Sequence, residues 1–315
     1  MELRQIRYFV AVVDHGSLSR AAREVHVAQS ALSKQMTMLE AELETALFHR
    51  SATGIIPTEA GNVFYEYACG MLKHLRDAKA AVAQQPGELS GSIVVALPQT
   101  VARILALPLM RAAAKRYPNV VLHLNEELTG NLIDQLLHGR VDIALFTPSG
   151  LPPEVIFTPV AEEALYYFHA PGDPLAPPPG EVALAEAVSR PLVFPGRAHA
   201  HATRAVVEEA LADRRMPPLA VAMEVNSVHI LMSAVEAGIG PTLMPLNLAA
   251  REVREGRLVA HPIAGNGVFR TLGICTCAAM PNSRLRTAMV ELLNDVVRDM
   301  CESGDWPGIR LIGID

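Results

Sequence analysis

Apolar residues in the first part of the chain recur at the three- and four-residue steps of helices with one buried face. The first run covers residues 3–13 and ends at His15-Gly16. Ser17 is a suitable N-cap for a short helix over residues 18–25, and a tight turn precedes a third helix over residues 29–43. Two helices joined by a short turn predict a helix-turn-helix unit.

A small hairpin and a long helix follow this unit. Residues 51–57 carry glycine and proline at turn positions, which predicts a hairpin lying as a wing beside the helices. Thr58 then caps a helix predicted over residues 59–85. Its apolar positions form one heptad-like seam: Phe64, Tyr67, Met71, Leu75, Ala78 and Val82. The seam predicts dimerisation, and packing of the seam against the rest of the chain remains the alternative.

From residue 92 onward, short apolar strands alternate with helical stretches. Strands are predicted at 93–97, 120–125, 141–146, 165–169, 191–194, 220–225 and 242–244, and helices at 102–117, 132–137, 203–214 and 228–237. This alternation predicts two α/β lobes built on parallel sheets. We expect the last strand (269–275) and helix (285–300) to return to the first lobe, so that two crossings form a hinge.

The sequence thus predicts an α+β multidomain chain. The expected parts are a winged helix-turn-helix domain (1–58), a linker helix (59–87), a first lobe (91–162 and 268–303), a second lobe (163–267) and a C-terminal extension (304–315).

The overall charge of the chain does not favour a nucleic-acid-binding function. The 315 residues include 27 basic and 33 acidic side chains, a net charge of −6, whereas many nucleic-acid-binding proteins are basic overall. Residues 1–58 carry six of each sign, but residues 25–39 contain Lys34 and no acid. One face of the third helix is therefore free to approach phosphates.

The N-terminus lacks the apolar core of a signal peptide, and no apolar stretch approaches the about 20 residues that span a bilayer. Four irregularly spaced cysteines fit a reducing compartment. We therefore expect a cytoplasmic protein with free thiols and no membrane contact.

An ordered set of motifs resembles the LysR-type transcriptional regulators: Gly16-Ser17-Leu18-Ser19-Arg20-Ala21-Ala22, Gln29-Ser30-Ala31-Leu32-Ser33, Leu47-Phe48, Arg50 and Pro57-Thr58-Glu59-Ala60-Gly61. Within the family, the sequence is most similar to the nitrogen assimilation control subgroup. The resemblance implies a winged helix-turn-helix, a dimerising linker helix and a two-lobed effector domain like that of periplasmic binding proteins. It also implies double-stranded DNA, a small-molecule effector, a second copy in a homodimer or homotetramer, and RNA polymerase as partners.

The start of the third helix is the predicted base-reading surface. Gln29 can offer its amide to an adenine edge, while Ser30, Ser33 and Lys34 lie beside it. The resemblance adds Arg50 near the wing, and Ser17, Arg20 and Thr53 as backbone contacts. The alternatives are a solvated polar face and, for Arg50, a surface salt bridge. The chain departs from the family pattern at Ala28, where Ser or Thr often caps this helix.

An effector is expected between the lobes. Pro98-Gln99-Thr100 follows the first strand and opens a helix, which suits Thr100 and the neighbouring Gln99 to an anion such as a carboxylate. Five further residues follow other strands at positions similar to the family's pocket: Thr129, Phe146, Phe194, Asn226 and Ser227. Each of the five is equally compatible with a helix cap or a core position.

Other chemistry has little support. His199 and His201 lack a third metal ligand nearby, and Cys275 and Cys277 fit a buried reduced pair better than a redox switch. No phosphate-binding loop, dinucleotide fingerprint or nucleophile elbow occurs, so neither an enzyme nor a cofactor is predicted. The expected function is effector-controlled, sequence-specific regulation of transcription, with control by protein abundance as a variant. The alternative is a solute-binding or enzyme-like α/β protein whose N-terminal helices only mediate assembly.

Overall fold

The fold is known from a computed structural model that describes residues 1–51, 54–83, 89–148, 150–196 and 202–313. The chain divides into two compact units. The first comprises Met1–Glu88 with His138–Arg140, and the second comprises Leu89–Leu137 with Val141–Asp315. No helix among the described residues is long and apolar enough to cross a membrane.

The first unit has the predicted order of elements. Three helices are followed by a hairpin and a long helix: α1 (Leu3–His15), α2 (Leu18–Glu24), α3 (Gln29–Glu42), β1 (Phe48–Ser51), β2 (Gly54–Pro57) and α4 (Glu59–Ala83). Phe9 is fully buried at the centre of the core, with its ring against Phe48 and Phe64. The predicted end of α4 at residue 85 lies outside the described residues.

Local hydrogen bonds explain where these elements begin and end. The Ser17 hydroxyl accepts from the Arg20 amide and caps α2, as predicted. Gly16 ends α1 in the left-handed region at φ 59°, where a side chain would be strained. The Glu40 carboxylate accepts from the Leu47 and Phe48 amides at 2.9 and 3.2 Å and so ties α3 to the hairpin.

The second unit contains a sheet of eight strands. Neighbouring strands lie in the spatial order β10-β6-β11-β5-β3-β4, and β9 and β12 also pair with β6. Its strands are β3 (Gly91–Pro98), β4 (Val120–Glu127), β5 (Ile143–Phe146), β6 (Val155–His169), β9 (Thr242–Pro245), β10 (Val259–Pro262), β11 (Phe269–Cys277) and β12 (Ile309–Leu311). A separate pair consists of β7 (Leu192–Pro195) and β8 (Val221–Val225). The helices are α5 (Gln99–Arg116), α6 (Thr129–Leu137), α7 (Leu184–Ala187), α8 (Ala202–Asp213), α9 (Val228–Glu236), α10 (Ala250–Arg254) and α11 (Arg284–Ser303).

Two groups of elements pack around separate cores. We call β3, β4, β5, α5, α6, α11 and β12 the first lobe, and α7 to α10 with β7 to β10 the second lobe. β6 begins in the first lobe and ends in the second, and β11 runs antiparallel beside it. The strand predicted at 165–169 is therefore only the end of a longer strand that joins the lobes.

The prediction of parallel sheets holds for only half of the strands of the second unit. Among the strands that the structure describes, β3–β4, β3–β5 and β7–β8 pair in parallel, whereas β6, β9, β10, β11 and β12 make antiparallel pairs. Parallel neighbours need a long crossover connection. The later strands pair with β6 or β11 instead of following such a crossover, and the apolar pattern along a strand does not reveal the direction of its partner.

The segment that sequence analysis set apart as an extension packs on the first lobe. Trp306 is 1% exposed within its core, and β12 pairs with β6. Cys275 and Cys277 on β11 are free and buried, in agreement with the predicted burial of the pair. Burial raises the pKa of the Cys275 thiol to about 12.

Candidate nucleic-acid interface and interlobe cleft

The helix-turn-helix presents the predicted polar face to solvent. Leu32, Met36 and Leu39 bury one side of α3. On other sides of the helix, Gln29, Ser30 and Lys34 are exposed and Ser33 is half-buried. Ala28 provides no side-chain cap, in agreement with the sequence reading.

A contact from α2 orients the Gln29 side chain. The Ser19 hydroxyl donates a hydrogen bond to Gln29 Oε1 at 2.9 Å. This contact leaves the amide N–H groups of Gln29 available to an acceptor outside the protein. Sequence reasoning missed Ser19, although its position in the second helix was a usable signal.

The remaining predicted DNA contacts divide into two groups. Arg20 and Lys34 are exposed, and neither forms an ion pair with a residue that the structure describes. The Ser17 oxygen caps α2, so its first role is structural. The Arg50 side chain and Thr53 lie outside the described part of the chain, as do His199 and His201.

The predicted seam on α4 is largely exposed. Tyr67, Met71 and Val82 are 51%, 40% and 89% exposed, Ala78 is exposed and Leu75 is half-buried. The prediction that Phe64 belongs to the dimerisation seam was wrong. Its ring packs edge-on against Phe9, with the ring centroids 4.8 Å apart, and belongs to the core of its own chain. An apolar groove of about 660 Å³ runs beside the seam, lined by Leu43, Thr45, Leu47, Glu59, Ala60, Val63, Phe64, Tyr67 and Met71.

Gln99 and Thr100 contact protein groups. Gln99 Oε1 accepts from the backbone N–H of Val228, the first residue of α9, at 3.3 Å. Thr100 is 1% exposed, and its hydroxyl accepts from Arg270 Nη1 at 3.0 Å. Asn247 of the second lobe donates to the Thr100 carbonyl at 3.1 Å. Both residues therefore link the lobes, and the Thr100 side chain is not directed into an open pocket.

A buried ion pair lies behind Thr100. Arg270 on β11 and Glu163 on β6 are 2% and 0% exposed, with contacts of 2.6 and 2.7 Å between the guanidinium and Glu163 Oε2. Trp306 Nε1 donates to the other carboxylate oxygen at 2.7 Å. These residues are far apart in sequence, so periodicity alone could not reveal the cluster.

The other predicted effector residues have mixed positions. Phe146 and Phe194 are fully buried in two separate cores, so their side chains serve packing, as the alternative reading held. Ser227 caps α9 through the Ile230 amide, Asn226 precedes it in an exposed position, and Thr129 is 8% exposed at the start of α6.

A pocket of about 400 Å³ lies between the lobes. Its lining residues are Thr147, Pro148, Phe157, Val206, Glu209, Ala210, Asp213, Arg214, Asn266, Gly267, Val268, Phe269 and Thr271. The seven residues predicted for the effector are absent from this lining. Thr147, which directly follows Phe146, is 7% exposed and its hydroxyl has no hydrogen-bond partner among the described residues.

Comparison with known proteins places both units in one family. Residues 3–62 match the bacterial regulatory helix-turn-helix protein family of LysR type, and residues 86–298 match the LysR substrate binding domain. The chain belongs to the LysR family of transcriptional regulators. The resemblance seen in the sequence is thereby confirmed, and the assembly-only alternative has no support.

Several proteins similar to this chain carry regulatory names. The chain is 33% identical over 250 residues to the nitrogen assimilation regulatory protein nac of Klebsiella aerogenes, covering 79% of this chain and 80% of that protein. It is 29% identical over 310 residues to the regulator BbuR of Bordetella bronchiseptica, covering 96% and 92%. Full-length CbnR, solved in complex with its target DNA, shares the fold at a TM-score of 0.70 and 22% identity, covering 95% of this chain and 99% of CbnR.

Proposed function

We propose that this LysR-family regulator binds specific DNA sequences through α3 and responds to a small molecule bound between its two lobes. The observation that carries the first part is the polar start of α3. Gln29 is exposed there and oriented by Ser19. Side-chain amides read adenine in the major groove through paired hydrogen bonds.

The neighbouring charges support the same role. Arg20 and Lys34 are exposed cations without ion-pair partners among the described residues, and such cations can neutralise phosphates. Ser30 and Ser33 offer hydroxyls beside Gln29. We assign Arg50, Ser17 and Thr53 to the flanking backbone contacts by family resemblance.

The proposal predicts that Gln29→Ala weakens sequence-specific binding. One lost base contact costs about 1–3 kcal/mol and relaxes preference at one position of each half-site. Footprinting and salt-titrated binding on the DNA upstream of the protein's own gene measure this effect.

Met38→Ala is the matched control, because Met38 is exposed on the same helix nine residues later, half a turn away from Gln29. Its footprint should match that of the wild type. Equal sequence preference in Gln29→Ala and the wild type would rule out base reading by this side chain.

The position of the pocket supports the effector part. It lies between two lobes connected by β6 and β11, where ligand binding can change the angle between them. Thr147 lines it, and the buried Thr147 hydroxyl has no hydrogen-bond partner among the described residues. Arg214 also lines it, though its guanidinium already donates to the Ala210 and Gly267 carbonyls at 3.0 and 2.8 Å.

A second copy completes the function. One chain offers few basic side chains for DNA phosphates. Two α3 helices bound to one duplex would double the number of phosphate contacts. The exposed seam and groove of α4 supply an apolar surface for that copy. We therefore propose a homodimer or homotetramer, with RNA polymerase as the partner in regulation by family resemblance.

A further inference from the structure

Two buried histidines meet in the second lobe. His169 is the last residue of β6 and His261 lies on the neighbouring β10, and each is 3% exposed. Their Nε2 atoms are 3.0 Å apart, and the rings stack at 17°. The direct approach of two ring nitrogens requires an account of the protons.

The other nitrogen of each ring faces a carbonyl oxygen. His169 Nδ1 lies 2.8 Å from the Ala170 oxygen, and His261 Nδ1 lies 2.8 Å from the Gly180 oxygen. Carbonyl oxygens only accept hydrogen bonds, so both Nδ1 atoms must carry hydrogen. A neutral imidazole has one N–H. In two neutral rings, both Nε2 atoms would then be without hydrogen and their lone pairs would face each other. A hydrogen bond at each of the three contacts requires three hydrogens, one more than two neutral rings carry.

We propose that His169 and His261 form one proton-binding site, in which a single proton from solvent lies between the two Nε2 atoms and holds residues 170–180 against β10. A metal ion is a poorer occupant, because no group of three metal-binding side chains occurs among the described residues. Loss of the proton breaks one of the three contacts. Gly180 lies in an exposed segment, so its carbonyl is the partner released first.

The surrounding charges decide how many protons the pair holds. Tyr167 on β6 has its ring 5.9 Å from His169 and 6.4 Å from His261. Arg190, ahead of β7, donates to the Tyr167 oxygen and to Asp173 of the 170–180 segment, each at 3.0 Å. Arg190 and Asp173 carry opposite charges, so their electrostatic effects on the histidine pair offset each other.

Burial is the main cause that lowers the pKa of His169, and charge on His261 lowers that pKa further. Burial likewise raises the pKa of Tyr167, and Arg190 lowers the pKa of Asp173. Tyr167 therefore stays neutral and Asp173 stays charged while the pair titrates. The hydrogen bond that a shared proton forms between the two Nε2 atoms acts against the burial that lowers the pKa of His169. The proton stabilises the segment because this charge-assisted hydrogen bond outweighs the cost of burial.

Hydrogen exchange of the full-length protein, read by mass spectrometry over residues 170–182, tests the site. After correction for the intrinsic rate, protection in the wild type should fall about tenfold or more between about pH 5 and about pH 8, the effect of losing one charge-assisted hydrogen bond. His261→Gln supplies a neutral N–H donor to His169 Nε2 and should remove this pH dependence. His229→Gln, at an exposed position of α9 in the same lobe, should retain it.

A flat wild-type profile would overturn the proposal, as would an unchanged pH dependence in His261→Gln. If Trp306 fluorescence shows that His261→Gln is unfolded, His169→Gln replaces it, because its amide can donate to His261 Nε2 in the same way. The wild-type profile remains decisive in either case, and DNA binding does not enter the readout.

Discussion

Glu163 is the buried carboxylate on which the contacts between β6, β11 and the C-terminal segment converge. Its two oxygens accept from Arg270 and Trp306, and Arg270 continues to Thr100. A buried charge is tolerated only when it is paired and hydrogen-bonded. Thr100 was predicted to contact the ligand, because the pattern around one residue carries no information about partners on distant strands.

Replacing this carboxylate tests the cluster. Glu163→Gln leaves the Arg270 guanidinium buried without a counter-charge, so the free energy of unfolding should fall by about 3–5 kcal/mol. Urea unfolding followed by the fluorescence of Trp306, the only tryptophan of the chain, measures the loss.

Glu162→Gln is the matched control one residue earlier on β6. Glu162 is 31% exposed and pairs with Arg310, which is 61% exposed, and exposed ion pairs contribute about 1 kcal/mol or less. Similar losses in the two variants would refute a special role for the buried pair.

At the scale of elements, α3 begins without a side-chain cap. Ala28 has the extended backbone of an N-cap, φ −67° and ψ 138°, but no hydroxyl to accept from the first turn. The sequence predicted this absence, because capping depends on residue type and local backbone alone.

Ala28→Ser should therefore stabilise the first unit by about 1 kcal/mol. Thermal unfolding followed by circular dichroism provides the measurement. Ala31→Ser, inside the same helix and also exposed, should instead lower stability by up to about 0.5 kcal/mol. A gain in both variants, or in neither, would show that capping is not the cause.

The exposed seam of α4 is the proposed dimer surface, and a charge placed in it tests this role. Met71→Glu places a charge in the apolar groove and should weaken dimerisation by about 2 kcal/mol, roughly thirtyfold in the dissociation constant. Asn62→Glu adds the same charge half a turn away, at an exposed position of the same helix. Sedimentation should detect dissociation only in the first variant. Unchanged assembly in Met71→Glu would require another dimer surface.

At the scale of the whole second unit, the two lobes are connected through more than the crossing strands. Gln99 and Thr100 reach second-lobe groups, and Arg103 pairs with Glu252 at 3.3 Å. A ligand in the pocket acts on lobes that these contacts already hold together, so it must favour one arrangement over another to have an effect.

Thr147→Val tests the pocket at this scale. Removing a buried, unpartnered hydroxyl should leave the unliganded protein equally stable or about 1 kcal/mol more stable. A carboxylate that raises the melting temperature of the wild type in a screen of small acids should bind the variant two- to tenfold more weakly, which is about the effect of one hydrogen bond.

Thr158→Val, at an exposed position of β6, is the control and should bind like the wild type. Equal affinity in all three proteins would show that Thr147 does not contact the ligand.

Local sequence patterns were enough to predict the helices of the first unit, the uncapped start of α3, the polar positions beside Gln29, and most strands and helices of the lobes. These features follow from local periodicity and residue type. The three-dimensional fold was needed to show the direction of the later strands, the placement of Trp306 in the first lobe, the burial of Phe146 and Phe194, and the partners of Thr100, Glu163 and His169. Each of these depends on residues that are distant in sequence and meet only when the strands pair, and a pattern along one segment contains no record of what lies opposite it.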